Sequence, residues 1–345
     1  MTTVRSPLAD VPDAPSSEAL RRVVRRRILD PVTAALAVVT GVVGALGAFG
    51  VAVPATLQVV PFAVSVLVVG LPHGALDHLV PIRLRRDGRV LASVATVVAL
   101  YVVLGSATAA LWTAAPFTGF ASFILLTWFH WGQGDRWIDH LLGDGTRGRS
   151  AAVLTIAARG ALPMLVPLVS HPGDYVRVMD GAVRLLTHDA GTHLGVPTAW
   201  RTAAAAVVAV LVVTEVLAVR RAGRPLSRTV TELVVLVAFF AVVPPVLAVG
   251  LYFTLWHSVR HVVRLELTDP EAARELERGH VLAPFGRFLR QAWPITAVAV
   301  ALLVAVGVTL GSAGLGVYLF LLAVLTTPHA AVVTWMDGRQ GAWNS

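Results

Sequence analysis

Six histidines lie inside strongly apolar runs: His73 and His78 in "GLPHGALDHLV", His130 in "TWFHWGQGD", His257 and His261 in "LWHSVRH", and His329 in "TTPHAAVV". Imidazoles in such surroundings bind metals or hydrogen-bond between helices. His257 and His261 are four residues apart, so on a helix they share a face and can chelate one ion. His73 and His130, from other segments, extend this pair to a four-imidazole site. Asp77 stands one helical turn from His73 and is the expected acceptor for a ligand ring N–H. His78 lies one residue further round and ranks behind His73 as a ligand.

The chain that must position these groups has 345 residues, 56% of them hydrophobic and only 14% charged. Its mean hydropathy is +0.74. Soluble domains carry about 25% charged residues, so this composition belongs to a membrane protein. Cysteine is absent, which excludes disulfides, thiolate zinc sites, iron–sulfur clusters and cysteine nucleophiles. The net charge of +8 is carried by arginine alone, because the sequence has no lysine. Those arginines sit in short loops between apolar runs, where they act as topology signals and headgroup contacts. Nucleic acid is not an expected partner.

A bilayer core of about 30 Å needs roughly 20 apolar residues per helix. Apolar segments fall near 31–50, 55–80, 89–113, 118–141, 151–169, 200–219, 229–243, 246–264, 292–310 and 314–335. The sequence therefore predicts an all-α, polytopic transmembrane bundle of about ten segments. Pro244–Pro245 divides the seventh from the eighth, and residues 229–245 either span or re-enter. With ten crossings, the basic loops at 21–27, 83–89, 143–149, 220–228, 264–290 and 337–340 all fall on one side, taken as the cytoplasm. Residues 1–28 read as a disordered cytoplasmic tail, 29–337 as one transmembrane domain, and 338–345 as a cytoplasmic C-terminal tail. Residues 170–199 form the longest outside loop. The expected location is the plasma membrane, with both ends cytoplasmic.

This topology puts all six histidines at one depth. The second, fourth, eighth and tenth segments run from outside to inside, and each histidine falls in the later half of its segment. Ionisable groups within a membrane are costly and tend to be functional. A common depth is not what isolated packing contacts would produce. All-imidazole ligation suits iron, copper, zinc or nickel. On an octahedral ion, four neutral ligands leave two positions open, an arrangement that suits iron(II) binding dioxygen, whereas they would close tetrahedral zinc.

At these residues the sequence resembles the Brp/Blh family of bacterial membrane β-carotene 15,15′-dioxygenases. The matching pieces are "PHGALDH" (72–78), "FHWGQGD" (129–135), "WHSVRH" (256–261) and "TPHAAVVTWMD" (327–337). The resemblance implies iron(II)-dependent cleavage of β-carotene at its central double bond by O2, giving two molecules of retinal, often for a rhodopsin. It implies His73, His130, His257 and His261 as iron ligands. Asp77, His78 and His329 are supporting residues, the role of His329 being open. β-Carotene is wholly apolar and about as long as the bilayer core is thick, so it needs a tunnel within the membrane. Trp128, Phe129, Trp131, Tyr252, Phe253 and Trp256, with Phe320 and Trp335, are the candidate walls.

Three rival readings bear on the same residues. A retinal-binding opsin requires a buried lysine, and the chain has none. A histidine-rich membrane desaturase or hydroxylase acting on another lipid requires about eight histidines in HxxxH and HxxHH boxes, of which only "HSVRH" fits. A bis-histidine haem protein is the non-catalytic alternative, distinguishable by a Soret band.

Overall fold

The computed structural model describes residues 18–85, 89–185, 195–309 and 314–343. Among these residues there is no strand, and the chain is an all-α polytopic bundle. Eight helices are long and apolar enough to cross a membrane: α1 (Glu18–Ala48), α2 (Ala55–Arg85), α3 (Val90–Ala114), α5 (Arg149–Ser170), α7 (Thr198–Arg221), α9 (Pro245–Glu266), α11 (Leu282–Thr309) and α12 (Leu315–Gln340). Two more helices occupy the other two apolar segments read from the sequence. These are α4 (Pro116–Leu142), whose second half is polar, and α8 (Leu226–Val242). At 1.5 Å per residue the 17 residues of α8 reach roughly 26 Å. This segment is one uninterrupted helix, and it does not fold back as a re-entrant hairpin.

The break between α8 and α9 has a local cause. A residue before proline is pushed out of the helical region, and Val243 and Pro244 are both extended, with ψ of 132° and 139°. Pro245 then starts α9 at a position where its missing N–H is not needed.

Three stretches expected as tails or loops are helical in part. Residues 18–28 are not a disordered tail but the first turns of α1. Leu20, Val24 and Ile28 recur every fourth residue and are buried against Leu141 and Leu276, which offsets the entropy of ordering them. Residues 1–17 lie outside the described residues. Residues 338–340 likewise continue α12, and Trp343 stacks on Phe129. The 170–199 stretch contains helix α6 (Pro172–Arg184). Its Val178, Met179, Ala182 and Val183 form one apolar face packed on Trp112, Phe120 and Leu319. Residues 186–194 lie outside the described residues. A further short helix, α10 (Pro270–Glu277), follows α9 and is capped by Asp269, which accepts a hydrogen bond from the Glu271 N–H.

Side chains on α1, α3, α7 and α11 leave Val, Leu and Trp residues exposed along their length, as a lipid-facing surface requires. The histidine-bearing helices α2, α4, α9 and α12 sit deeper. α4 and α5 approach with backbones almost in contact. A Cβ at Gly132 would lie 2.1 Å from the Ile156 carbonyl oxygen, and one at Gly160 would lie 1.9 Å from that of Trp128. Small residues of this kind allow close helix crossings in membranes.

Candidate metal centre

Five of the six histidines converge in a buried cage. The ring centroid of His73 lies 4.8 Å from that of His329 and 5.4 Å from those of His257 and His261. His130 is 4.8 Å from both His257 and His329, and His261 is 4.9 Å from His329. The structure therefore brings together the four residues expected from sequence and adds His329. His78 stands apart. It is only partly buried, and its Nδ1 lies 3.0 Å from the Ala75 carbonyl oxygen.

Local backbone irregularities aim these rings. The stretch Tyr252–Ser258 is a wide π-helical turn, and so is Val66–Gly70 just ahead of His73. Such turns gather at functional sites. Here the wider turn lets Tyr252, Phe253, Trp256 and His257 all point inward. Helix α2 is also interrupted, because Leu76 leaves the helical region and Asp77–Leu79 form a tighter 3₁₀ turn. Asp77 consequently does not support His73, as its i,i+4 spacing suggested. Asp77 Oδ2 instead lies 2.8 Å from Nδ1 of His329 and accepts a 2.6 Å hydrogen bond from Tyr101. His73 directs its own Nδ1 to the Gly70 carbonyl oxygen.

The donor set fits a metal. Both ring nitrogens of His257, and Nε2 of His261 and of His329, are buried with no hydrogen-bond partner among the described residues. Buried polar atoms are rarely left so, and several facing one another call for a common partner. One nitrogen each of His73, His130 and His329 lie within 4.8 Å of one another, as do donor atoms of Asp77, His261 and His329. An ion coordinated by imidazole nitrogens satisfies them.

Two polar networks brace the cage. On one side Trp256 donates to Asp135 at 2.9 Å, and Arg260 pairs with both Asp135 (2.9 Å) and Glu232 (3.2 Å). Glu232 continues to Arg159 (2.8 Å), which pairs with Glu215 (3.0 Å). On the other side Gln133 donates to Asp337 at 2.9 Å, and Arg264 pairs with Asp337 at 2.6 Å. No motif or spacing singles out Arg159, Glu215 and Glu232; their signal in the sequence is that each is an ionisable residue inside an apolar run.

Two cavities flank the cage. The larger of the two has about 1010 Å³ of empty space, counting its open mouth, and is walled by Phe62, Phe120, Phe123, Met164, Val249 and Leu322 beside His73 and His130. The smaller lies against Tyr101, Ile295, Ala299, Leu325 and His329. Both touch His73, Phe253, Leu322 and Thr326, so they adjoin at His73. Of the aromatic walls expected from sequence, Trp131 and Phe253 line the larger cavity. Trp128 and Phe129 face a separate groove with Trp343, while Tyr252 and Trp256 belong to the packed core. Tyr175 on α6 also reaches the larger cavity, and burial pushes its hydroxyl up to about 12, so it stands there as a neutral donor.

Comparison with known proteins bears on this arrangement. The family described as beta-carotene 15,15′-dioxygenase matches residues 64–337. A probable beta-carotene 15,15′-dioxygenase, Blh, of Halobacterium salinarum is 42% identical over 92% of this chain and 95% of its own. A second protein of that organism, the probable beta-carotene 15,15′-dioxygenase Brp, is 28% identical over 85% of this chain and 88% of its own. No solved structure matches.

Proposed function

The chain belongs to the beta-carotene 15,15′-dioxygenase family, and we propose that it cleaves β-carotene at the central double bond with O2, releasing two molecules of retinal. The observation that carries this reading is the histidine cage with an apolar cavity on either side of His73. A symmetric polyene can lie with one half in each cavity and its midpoint at the cage. Cleavage adds one oxygen atom to each carbon of the broken C=C bond, so both atoms of O2 are used and no external reductant is consumed.

His73, His130, His257 and His261 are the proposed ligands for iron(II). When bound, iron(II) supplies the one-electron chemistry that lets triplet dioxygen react with a closed-shell polyene. The protein's part is placement. Phe253 and Leu322 touch both cavities and hold the chain of double bonds against the histidines. Near-attack placement must be good to well under about 1 Å to avoid large rate losses. The π turn and the Asp135–Arg260–Trp256 cluster supply that rigidity at His257. Apolar walls keep water away from the reacting carbons.

The loop arginines support an orientation with both ends in the cytoplasm of a plasma-membrane protein. The retinal product fits a rhodopsin as its consumer.

The test is expression in a β-carotene-producing bacterial host, with extraction and separation of retinoids. Retinal as dominant product, with loss of orange colour, is expected. Long apocarotenals would remove the central-bond assignment but keep the oxygenase. Unchanged β-carotene in aerated, iron-replete cells with verified membrane expression would reject the substrate. A Soret band on the purified protein would favour a haem carrier.

A further inference from the structure

We propose that His329 is itself a metal ligand, presenting Nε2 to the ion and locked in that tautomer by Asp77 and Tyr101. The proposal rests on the metal reading above and deepens it by adding a fifth imidazole. Nδ1 of His329 lies 2.8 Å from Asp77 Oδ2. The carboxylate accepts the ring N–H there, and the ring's lone pair is left on Nε2. That Nε2 is buried and has no hydrogen-bond partner among the described residues.

The position of the ring is the second support. Its centroid stands 4.8 Å from His73, 4.8 Å from His130 and 4.9 Å from His261. His329 also belongs to both groups of donor atoms that lie close enough to share an ion. Had it served only helix packing, its bond to Asp77 would suffice, and nothing would require the ring to stand among the other imidazoles.

The third support is the relay behind the ring. Tyr101 on α3 donates to the same oxygen of Asp77 at 2.6 Å, so two donors converge on one carboxylate oxygen and fix its rotation. Carboxylates in this position set the orientation and basicity of a ligating imidazole. His73 uses the Gly70 carbonyl for the same purpose. Asp77, Tyr101 and His329 come from three helices, so the relay also fixes α12 against the cage. Five imidazoles leave one free position in an octahedral shell instead of two.

Cobalt(II) titration of the purified, detergent-solubilised full chain tests this without turnover, since the visible bands of cobalt(II) report its ligand number. The wild type is expected to take one cobalt(II). His329→Ala should bind at least about tenfold more weakly, with shifted bands that added imidazole restores. Asp77→Asn should keep the wild-type bands while binding about 10–100-fold more weakly, and Tyr101→Phe should change in the same direction by less. Should His329→Ala fail to fold, His329→Gln is read in the same way.

Wild-type bands and affinity in the His329 variant would reduce His329 to packing and leave the four-histidine site standing. Bands altered by Asp77→Asn as much as by His329→Ala would make Asp77 a direct ligand and overturn the tautomer lock. Two ions per chain would overturn the single shared ion. A wild type that binds neither cobalt(II) nor iron(II) would overturn this proposal together with the metal reading beneath it.

Discussion

Trp256 donates its indole N–H to Asp135 across 2.9 Å, and Arg260, 3.5 Å over the Trp256 ring, pairs with that same carboxylate oxygen. One buried carboxylate thereby ties the residue next to His257 to the helix that carries His130. Trp256→Phe keeps a ring and removes the donor, so it should lose a charge-assisted hydrogen bond of about 1.5–3 kcal/mol. Asp135→Ala strips a buried arginine of a partner, a change that typically costs about 3–5 kcal/mol. Thermal unfolding in detergent measures both. If Asp135→Ala were no more labile than Trp256→Phe, the ion pair would hold nothing that the indole does not.

Alanine at His73, His130, His257 or His261 is expected to abolish cleavage and to lower the iron content of the purified protein, while membrane insertion is unchanged. Metal analysis and retinoid yield are read on the same preparation. Full iron and full activity in the His130 or His257 variant would remove that residue from the ligand set.

Leu322 touches both cavities. Leu322→Trp should fill their junction and reduce β-carotene cleavage at least about tenfold, since misplacement of this order has large rate effects. Its iron content should stay at the wild-type level. Wild-type turnover in this variant would mean that the polyene does not pass Leu322.

The crossing of α4 and α5 has no room for a methyl group. Gly132→Ala and Gly160→Ala each force the helices apart, and overpacking of this kind typically costs about 1–3 kcal/mol. Because Gly132 is two residues from His130, the Gly132 variant should also lose iron affinity, which equilibrium dialysis against iron(II) reads. A Gly132→Ala protein with wild-type melting and iron binding would show that the crossing is slack.

Much of this fold is legible in the sequence because a helix in lipid needs an apolar run of about 20 residues, and such runs are countable. The histidines are legible for a related reason, since polar groups there stand out against their neighbours. The partner of Asp77 was not legible. Its spacing from His73 places both on one face only if the helix continues, and the break at Leu76 turns Asp77 toward Tyr101 and His329. The cavity walls were missed for a geometric reason. Trp128 and Phe129 adjoin His130 in sequence and so point away from it round the helix. Steps of three, four or seven residues back from a histidine find much of the lining instead: Phe123 and Thr127 before His130, Phe253 before His257, Leu322 and Thr326 before His329. The tail at 18–28 was misread because its arginines mask the four-residue recurrence of Leu20, Val24 and Ile28.

The cavity that reaches the histidines is walled almost wholly by carbon, and the chain contains no lysine side chain at all. Retinal is a reactive aldehyde, and a lysine amine along its path would condense with it to an imine. Arginine, protonated at any physiological pH, does not compete in that reaction. An enzyme that gives up two such aldehydes inside its own helices thus offers them no side-chain amine to modify.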